Sequence, residues 1–202
     1  MFIEFKNHLA KLPLISLGEI HMTFPSLDKR RLSEWCQKGY IENVKRGFYR
    51  FTDQPINQGV TYFTANKIYS PSYISLETAL AYYQVIPEAV FISSSISTLN
   101  TTKLSTSIGN FIYHHVKEKL FFGYNLVSIS GLIVSLSNLE KAILDYLYLH
   151  PELNSVADFE ALRWNKEVLK QLDVKRFSDY LQLFNSKRLS KRVQILNTYI
   201  HD

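Results

Sequence analysis

Ser26 to Phe51 reads SLDKRRLSEWCQKGYIENVKRGFYRF, a short basic helix that runs through a glycine stop into a two-stranded ribbon. Helical spacing predicts about three turns over Ser26 to Lys38. Ser26 is placed to cap the first turn, Asp28 and Lys38 complement the two ends of the dipole, and Gly39 suits the left-handed stop. Leu32, Trp35 and Cys36 fall at i, i+3 and i+4 and form the core face. At about 100° per residue, Arg30, Ser33 and Gln37 point the other way, with Lys29 and Arg31 on the flanks. Ile41 to Val44 and Phe48 to Phe51 then read as strands around Lys45-Arg46-Gly47, where glycine supplies the positive φ of a tight turn. Helix, stop and basic hairpin in succession read as a winged helix-turn-helix. A winged module needs its helix in a groove and its hairpin over the neighbouring backbone.

Upstream, Phe2, Phe5, Leu9 and Leu12 share one helical face and Pro13 ends it. Ser16 and Glu19 have the spacing of a capping box opening a second short helix, and Phe24-Pro25 turns into the basic helix. The expected module covers residues 1–55, bounded by the polar stretch Asp53 to Gly59. On this reading the expected DNA contacts are Lys29, Arg30, Arg31, Ser33, Gln37, Lys38, Lys45, Arg46 and Arg50. Those on the outer helix face read base edges, and Lys45, Arg46 and Arg50 meet phosphates.

The second expected domain, 56–202, is a mixed α/β unit with a mostly antiparallel sheet. Val60 to Tyr69 suits a helix, and Ser75 is placed to cap another carrying Leu76, Ala79, Leu80 and Tyr83. Period-2 runs at VFISSSIS, NFIYHHV, KLFFGYNLVSI and GLIVSLS predict strands. Ser137 to Glu140 reads as a capping box opening a strong helix, and an all-helical tail follows from about 151. The fold class is therefore α+β.

Composition limits the chemistry. The 202 residues carry a net charge of +5, and 46% are hydrophobic. That permits an anionic partner without requiring one. Nine Lys or Arg stand against six acids up to Ile56, five against five to His150, and nine against seven thereafter, so the positive charge lies at the two ends. One cysteine, Cys36, excludes an intrachain disulfide and an all-cysteine metal site. The seven glycines form no phosphate loop, so no nucleotide cofactor is expected. His114 and His115 are neighbours on a strand and point to opposite faces, which excludes a shared metal in regular geometry. Glu140 and Asp145, five apart on one helix, are separated by about 140° and make a poor acid/base pair. No enzyme is expected. The start lacks the charged head and long apolar run of a signal peptide, and no stretch reaches the roughly 20 apolar residues of a membrane helix. The expectation is a cytoplasmic protein with no membrane partner.

Three segments, the first within the hairpin, carry a family resemblance: K-R-G-F-Y-R at Lys45 to Arg50, Y-S-P-S-Y-I-S-L-E-T-A-L-A-Y-Y with V-I-P-E from Tyr69 to Glu88, and L-E-K-A-I-L-D-Y-L-Y at Leu139 to Tyr148. In this order the chain resembles the AbiEi-type antitoxins of type IV bacterial toxin-antitoxin systems. The resemblance implies a winged helix that binds its own operator in double-stranded DNA as an autorepressor. It also implies a C-terminal domain that acts against a nucleotidyltransferase-like toxin from the same operon. By motif, Tyr73, Ser75, Glu77 and Ala79, and Glu140, Lys141 and Asp145, fall on the characteristic segments. Of these, Glu77, Lys141 and Asp145 have charges to spare for a partner. The tail after Pro151 matches no motif, and a stand-alone regulator or a protein-interaction module without DNA binding is the alternative.

Overall fold

The computed structural model describes residues 1–88 and 90–201. It is a mixed α+β fold, with ten α-helices and two sheets among the described residues. The chain begins with α1 (Phe2–Leu9), β1 (Ile15–Ser16), α2 (Leu17–Thr23), α3 (Lys29–Gln37), β2 (Ile41–Lys45) and β3 (Phe48–Phe51). These three strands form an antiparallel sheet in the order β1-β3-β2. Phe5, Leu9, Ile15, Ile20, Leu32, Trp35, Ile41 and Phe51 close one core, with Phe5 and Trp35 ring centroids 4.7 Å apart.

Two expected boundaries move. The first helix ends at Leu9 rather than Leu12, because the chain must straighten before Pro13 to deliver Leu14 and Ile15 to the interior. The basic helix starts at Lys29, not Ser26: Asp28 is the N-cap and its carboxylate accepts from Arg30 N at 2.9 Å. The capping box at Ser16 and Glu19 forms as expected.

The remainder comprises α4 (Gln58–Ile68), β4 (Ser72–Ile74), α5 (Leu76–Tyr82), β5 (Ile92–Ser97), β6 (Thr102–Ser105), β7 (Asn110–His115), β8 (Tyr124–Ile129), β9 (Leu132–Ser137), α6 (Leu139–Leu149), α7 (Val156–Leu162), α8 (Lys166–Leu169), α9 (Val174–Phe184) and α10 (Lys187–His201). The six-stranded sheet runs β6-β7-β5-β4-β9-β8. It is a mixed sheet in which three of the five pairings are antiparallel, as expected, while β5 pairs β7 and β4 pairs β9 in parallel. Two strands escape the period-2 reading: β4 has three residues, and β6 lies in what reads as a polar turn.

Side-chain hydroxyls tie helices to this sheet. Tyr113 of β7 donates to Ala65 O of α4 at 2.7 Å, and Tyr73 of β4 donates to the Asp145 carboxylate of α6 at 2.9 Å. Ser75 precedes α5 but makes no side-chain cap; its hydroxyl donates instead to Asp145 at 2.9 Å. Ser137 likewise does not cap α6. Asn138 does, accepting from Lys141 N at 3.0 Å, and Glu140 turns away to accept from Asp173 N at 3.0 Å.

The helices after Pro151 are part of this core, not an appendage. Phe159, Trp164, Phe177, Phe184, Leu189 and Leu196 are buried in the same cluster as Ile143 and Leu147 of α6. Arg192 of α10 is buried and donates to Leu147 O at 2.7 Å.

Leu14 and Val44 of the N-terminal unit also pack into the larger core. Polar groups reinforce the joint. Lys67 of α4 donates to Leu14 O at 2.9 Å and to both Glu19 carboxylate oxygens at 2.7 and 2.8 Å. Lys45 at the end of β2 donates to Ile68 O at 2.7 Å.

Candidate nucleic-acid interface

Helix α3 is amphipathic in the way its sequence predicts. Leu32 and Trp35 are buried and Cys36 is half-buried, where burial pushes its thiol pKa up. Lys29, Arg30, Arg31, Ser33, Gln37 and Lys38 are all exposed. Arg31 pairs with Glu34 at 3.1 Å; both side chains are about half exposed, so the pair is weak and opens easily. Lys29, Arg30 and Lys38 have no ion-pair partner among the described residues. The surface thus offers three unengaged cations and one easily released, interleaved with a hydroxyl and an amide that hydrogen-bond in either sense.

The hairpin separates its basic residues into three situations. Arg46 at the turn is exposed and unpaired among the described residues, held out by Gly47 at φ +84°. Lys45 is half-buried. Its ammonium is spent on Ile68 O, lies 5.4 Å from the Tyr69 ring centroid, and is pulled down in pKa by burial. Arg50 is only 4% exposed; its guanidinium pairs with Glu42 across the β2–β3 ladder and donates to Gln54 O. The expectation that Lys45 and Arg50 meet phosphates is therefore corrected: one fastens the hairpin to α4, and the other braces the hairpin internally. Strand alternation alone does not reveal this, because the partners are a cross-strand acid and a carbonyl 23 residues away.

A larger correction falls on the C-terminal motif residues. Lys141 and Asp145 are 0% exposed and form an ion pair. Asp145 also accepts from Tyr73 and Ser75, and Lys141 lies 4.9 Å from the ring centroids of both Phe122 and Phe184. Burial pulls the Lys141 ammonium down and pushes the Asp145 carboxyl up, and their mutual attraction opposes both shifts. These two residues have no charge to spare. Their i, i+4 spacing signals an ion pair, but the burial comes from aromatic residues scattered through the chain. Glu77 does reach the surface, with its carboxylate 3.9 Å from His150.

The arrangement contains no assembled nucleophile or acid/base pair on α3 or the hairpin. Among the described residues, no cluster of three or more His, Cys, Asp and Glu side chains could hold a metal ion, and no helix is long and apolar enough to cross a membrane. What α3 and Arg46 can do is present positive charge and hydrogen-bonding groups to an anionic surface. No protein-family model matches the chain, and no curated protein matches it.

Proposed function

We propose that the chain is a DNA-binding transcriptional regulator whose first 55 residues form a winged helix-turn-helix. The observation that carries this reading is the unengaged basic face of α3 beside the exposed Arg46 of the hairpin turn. Three helices followed by a hairpin, with strand order β1-β3-β2, suit a recognition helix and a wing. Arg30, Ser33 and Gln37 take the base-edge role, and Lys29, Arg31, Lys38 and Arg46 take phosphates.

Fluorescence anisotropy with the DNA upstream of the chain's own gene, and with random DNA of equal length, tests the reading. Tighter binding of the upstream DNA is expected, with affinity falling steeply between 50 and 200 mM salt, roughly the range over which phosphate contacts are lost. Arg46→Ala should weaken both DNAs alike and flatten the log–log salt slope by about 0.9. Arg30→Ala should instead reduce the preference for upstream DNA. No binding at low salt by a folded protein would overturn the proposal.

The resemblance to AbiEi-type antitoxins supports a second, dependent role: autorepression combined with antitoxin action against a nucleotidyltransferase-like toxin from the same operon. The partner surface in that role lies on the C-terminal unit, where half-buried Glu77 still reaches the surface. Co-expression with the product of the neighbouring gene tests it. Restored growth supports the antitoxin role, and unrelieved toxicity beside intact DNA binding leaves a stand-alone regulator.

A further inference from the structure

Strand β8 is an open edge of the six-stranded sheet, paired only with β9. Ser130 and Gly131 both take positive φ, +51° and +79°, and join the two strands through a two-residue turn between the opposed Ile129 and Leu132. In such a hairpin the residues flanking the turn exchange both backbone hydrogen bonds, and bonded and non-bonded pairs alternate from there along the ladder. Ile129, Val127 and Asn125 therefore spend their N–H and C=O groups on β9, while Ser128, Leu126 and Tyr124 turn theirs outward. No other backbone group among the described residues meets those outward atoms. The same three residues are exposed, Leu126 at 72%, and Ile133, opposite Ser128 on the same face, is 57% exposed. Edge strands are ordinarily kept from pairing by a charge, a proline or a bulge. The opposite edge, β6, is guarded in this way: it has four residues and an exposed Lys103. On β8 no such guard exists. Its register against β9 runs over six pairs without a shift, and no charged residue, histidine or proline lies between Lys119 and Glu140.

We infer that β8 is the surface through which two copies of this chain associate, pairing antiparallel about a two-fold axis centred on Leu126 and joining their sheets into one. In that register Leu126 faces its own counterpart and Tyr124 faces the second copy's Ser128, so all three outward donors and all three outward acceptors are matched. A register shifted either way leaves one of the three residues unpaired. Opposed residues share a face, so Leu126 is covered by the other Leu126. The uncharged edge selects an uncharged partner, because a strand bearing a charge would set it against Leu126 and Ile133 with no counter-ion on β8. The second copy's β8 meets that condition and its β6, with Lys103, does not. Pairing of β8 with β8 uses the same patch on both copies and closes at two, whereas pairing of β8 with β6 would run on as an open fibre. The inference does not depend on DNA binding, because no residue of α3 or of the β2–β3 turn takes part.

The test is sedimentation equilibrium of the full chain, free of nucleic acid, from low micromolar to several hundred micromolar protein. A reversible exchange between monomer and dimer is expected, with no larger species. Leu126→Lys, at an exposed position, should weaken the dimer at least tenfold while the dilute protein melts at an unchanged temperature, and Lys103→Ala on β6 should leave the dimer as it is. Amide hydrogen exchange followed by NMR locates the contact: the amides of Leu126 and Ser128 should exchange at least tenfold more slowly in concentrated than in dilute protein, and the amide of Lys103 should not change. A monomer at every concentration, a dimer that survives Leu126→Lys, or association without slower exchange at Leu126 and Ser128 would overturn the inference. A ladder of species beyond the dimer would overturn its two-fold closure.

Discussion

Asp145 sits at the centre of the most consequential polar contacts in the molecule. One carboxylate oxygen takes the Tyr73 and Ser75 hydroxyls, the other takes the Lys141 ammonium, and nothing in the group is exposed. Removing one charge of a buried pair strands the other, which costs about 3–5 kcal/mol, whereas replacing both is far milder. Asp145→Asn should therefore lower unfolding stability by about that amount, and Lys141→Met in the Asp145→Asn background should recover part of it, as read from urea melts. A single-variant loss under 1 kcal/mol would show that the pair is not sealed as described. Arg50 makes a related argument closer to the DNA-facing region. Its 4% exposure and its bonds to Glu42 and Gln54 predict that Arg50→Ala costs about 2–3 kcal/mol of stability and leaves the DNA salt slope unchanged. A flattened slope with unchanged stability would return Arg50 to the phosphate contacts.

The start of α2 shows how an element can be locally encoded and yet finished from a distance. Ser16 and Glu19 hold each other's backbone amides, and both partners stand within four residues, so the box is legible in the sequence. Lys67, which completes the site, comes from α4, and nothing local announces it. Burial alone would raise the Glu19 pKa, but the hydrogen bonds from Lys67 and Ser16 outweigh it and the net shift is downward. A carboxylate with a depressed folded pKa contributes stability that is complete above its unfolded value of 4.5 and is lost as pH falls through the folded one. The stability gap between wild type and Lys67→Met should thus be largest near neutrality and shrink at about pH 3, as the Glu19 charge disappears. A gap independent of pH would mean that Lys67 acts through Leu14 O alone. The same contrast separates the legible strands from the others. β7 and β9 carry apolar residues at alternate positions and β5 falls in the expected VFISSSIS run, while β4 has only three residues and β6 reads TKLS, and both are set by pairing with neighbouring strands.

At the scale of the whole molecule, the order of elements through α6 follows from periodicity and caps, and the basic outer face of α3 was legible for the same reason. The sequence does not disclose how strongly the parts depend on one another, because that dependence is made of long-range contacts. Leu14 and Val44 leave the small N-terminal core for the large one, and the helices after Pro151 cover α6, whose residues from Glu140 to Leu147 are all buried. An amphipathic surface helix keeps one face in water, whereas α6 is enclosed on every side. Ending the chain at His150 would bare Ile143, Leu144 and Leu147, strip Glu140 of its bonds to Asp173 N and Arg176, and leave Leu147 O without Arg192. Each large apolar side chain uncovered costs about 1.5–3 kcal/mol, so the three together, at about 4.5–9 kcal/mol, are comparable to the roughly 5–15 kcal/mol by which a domain is ordinarily stable. Residues 1–150 should therefore fail to give the cooperative thermal transition of the full chain, with near-ultraviolet circular dichroism of the C-terminal aromatics lost and a hydrophobic dye bound. If the truncated chain instead melts in a single sharp transition with its aromatic signal intact, the last four helices are an independent layer, and the ion pair of Lys141 and Asp145 holds α6 without them.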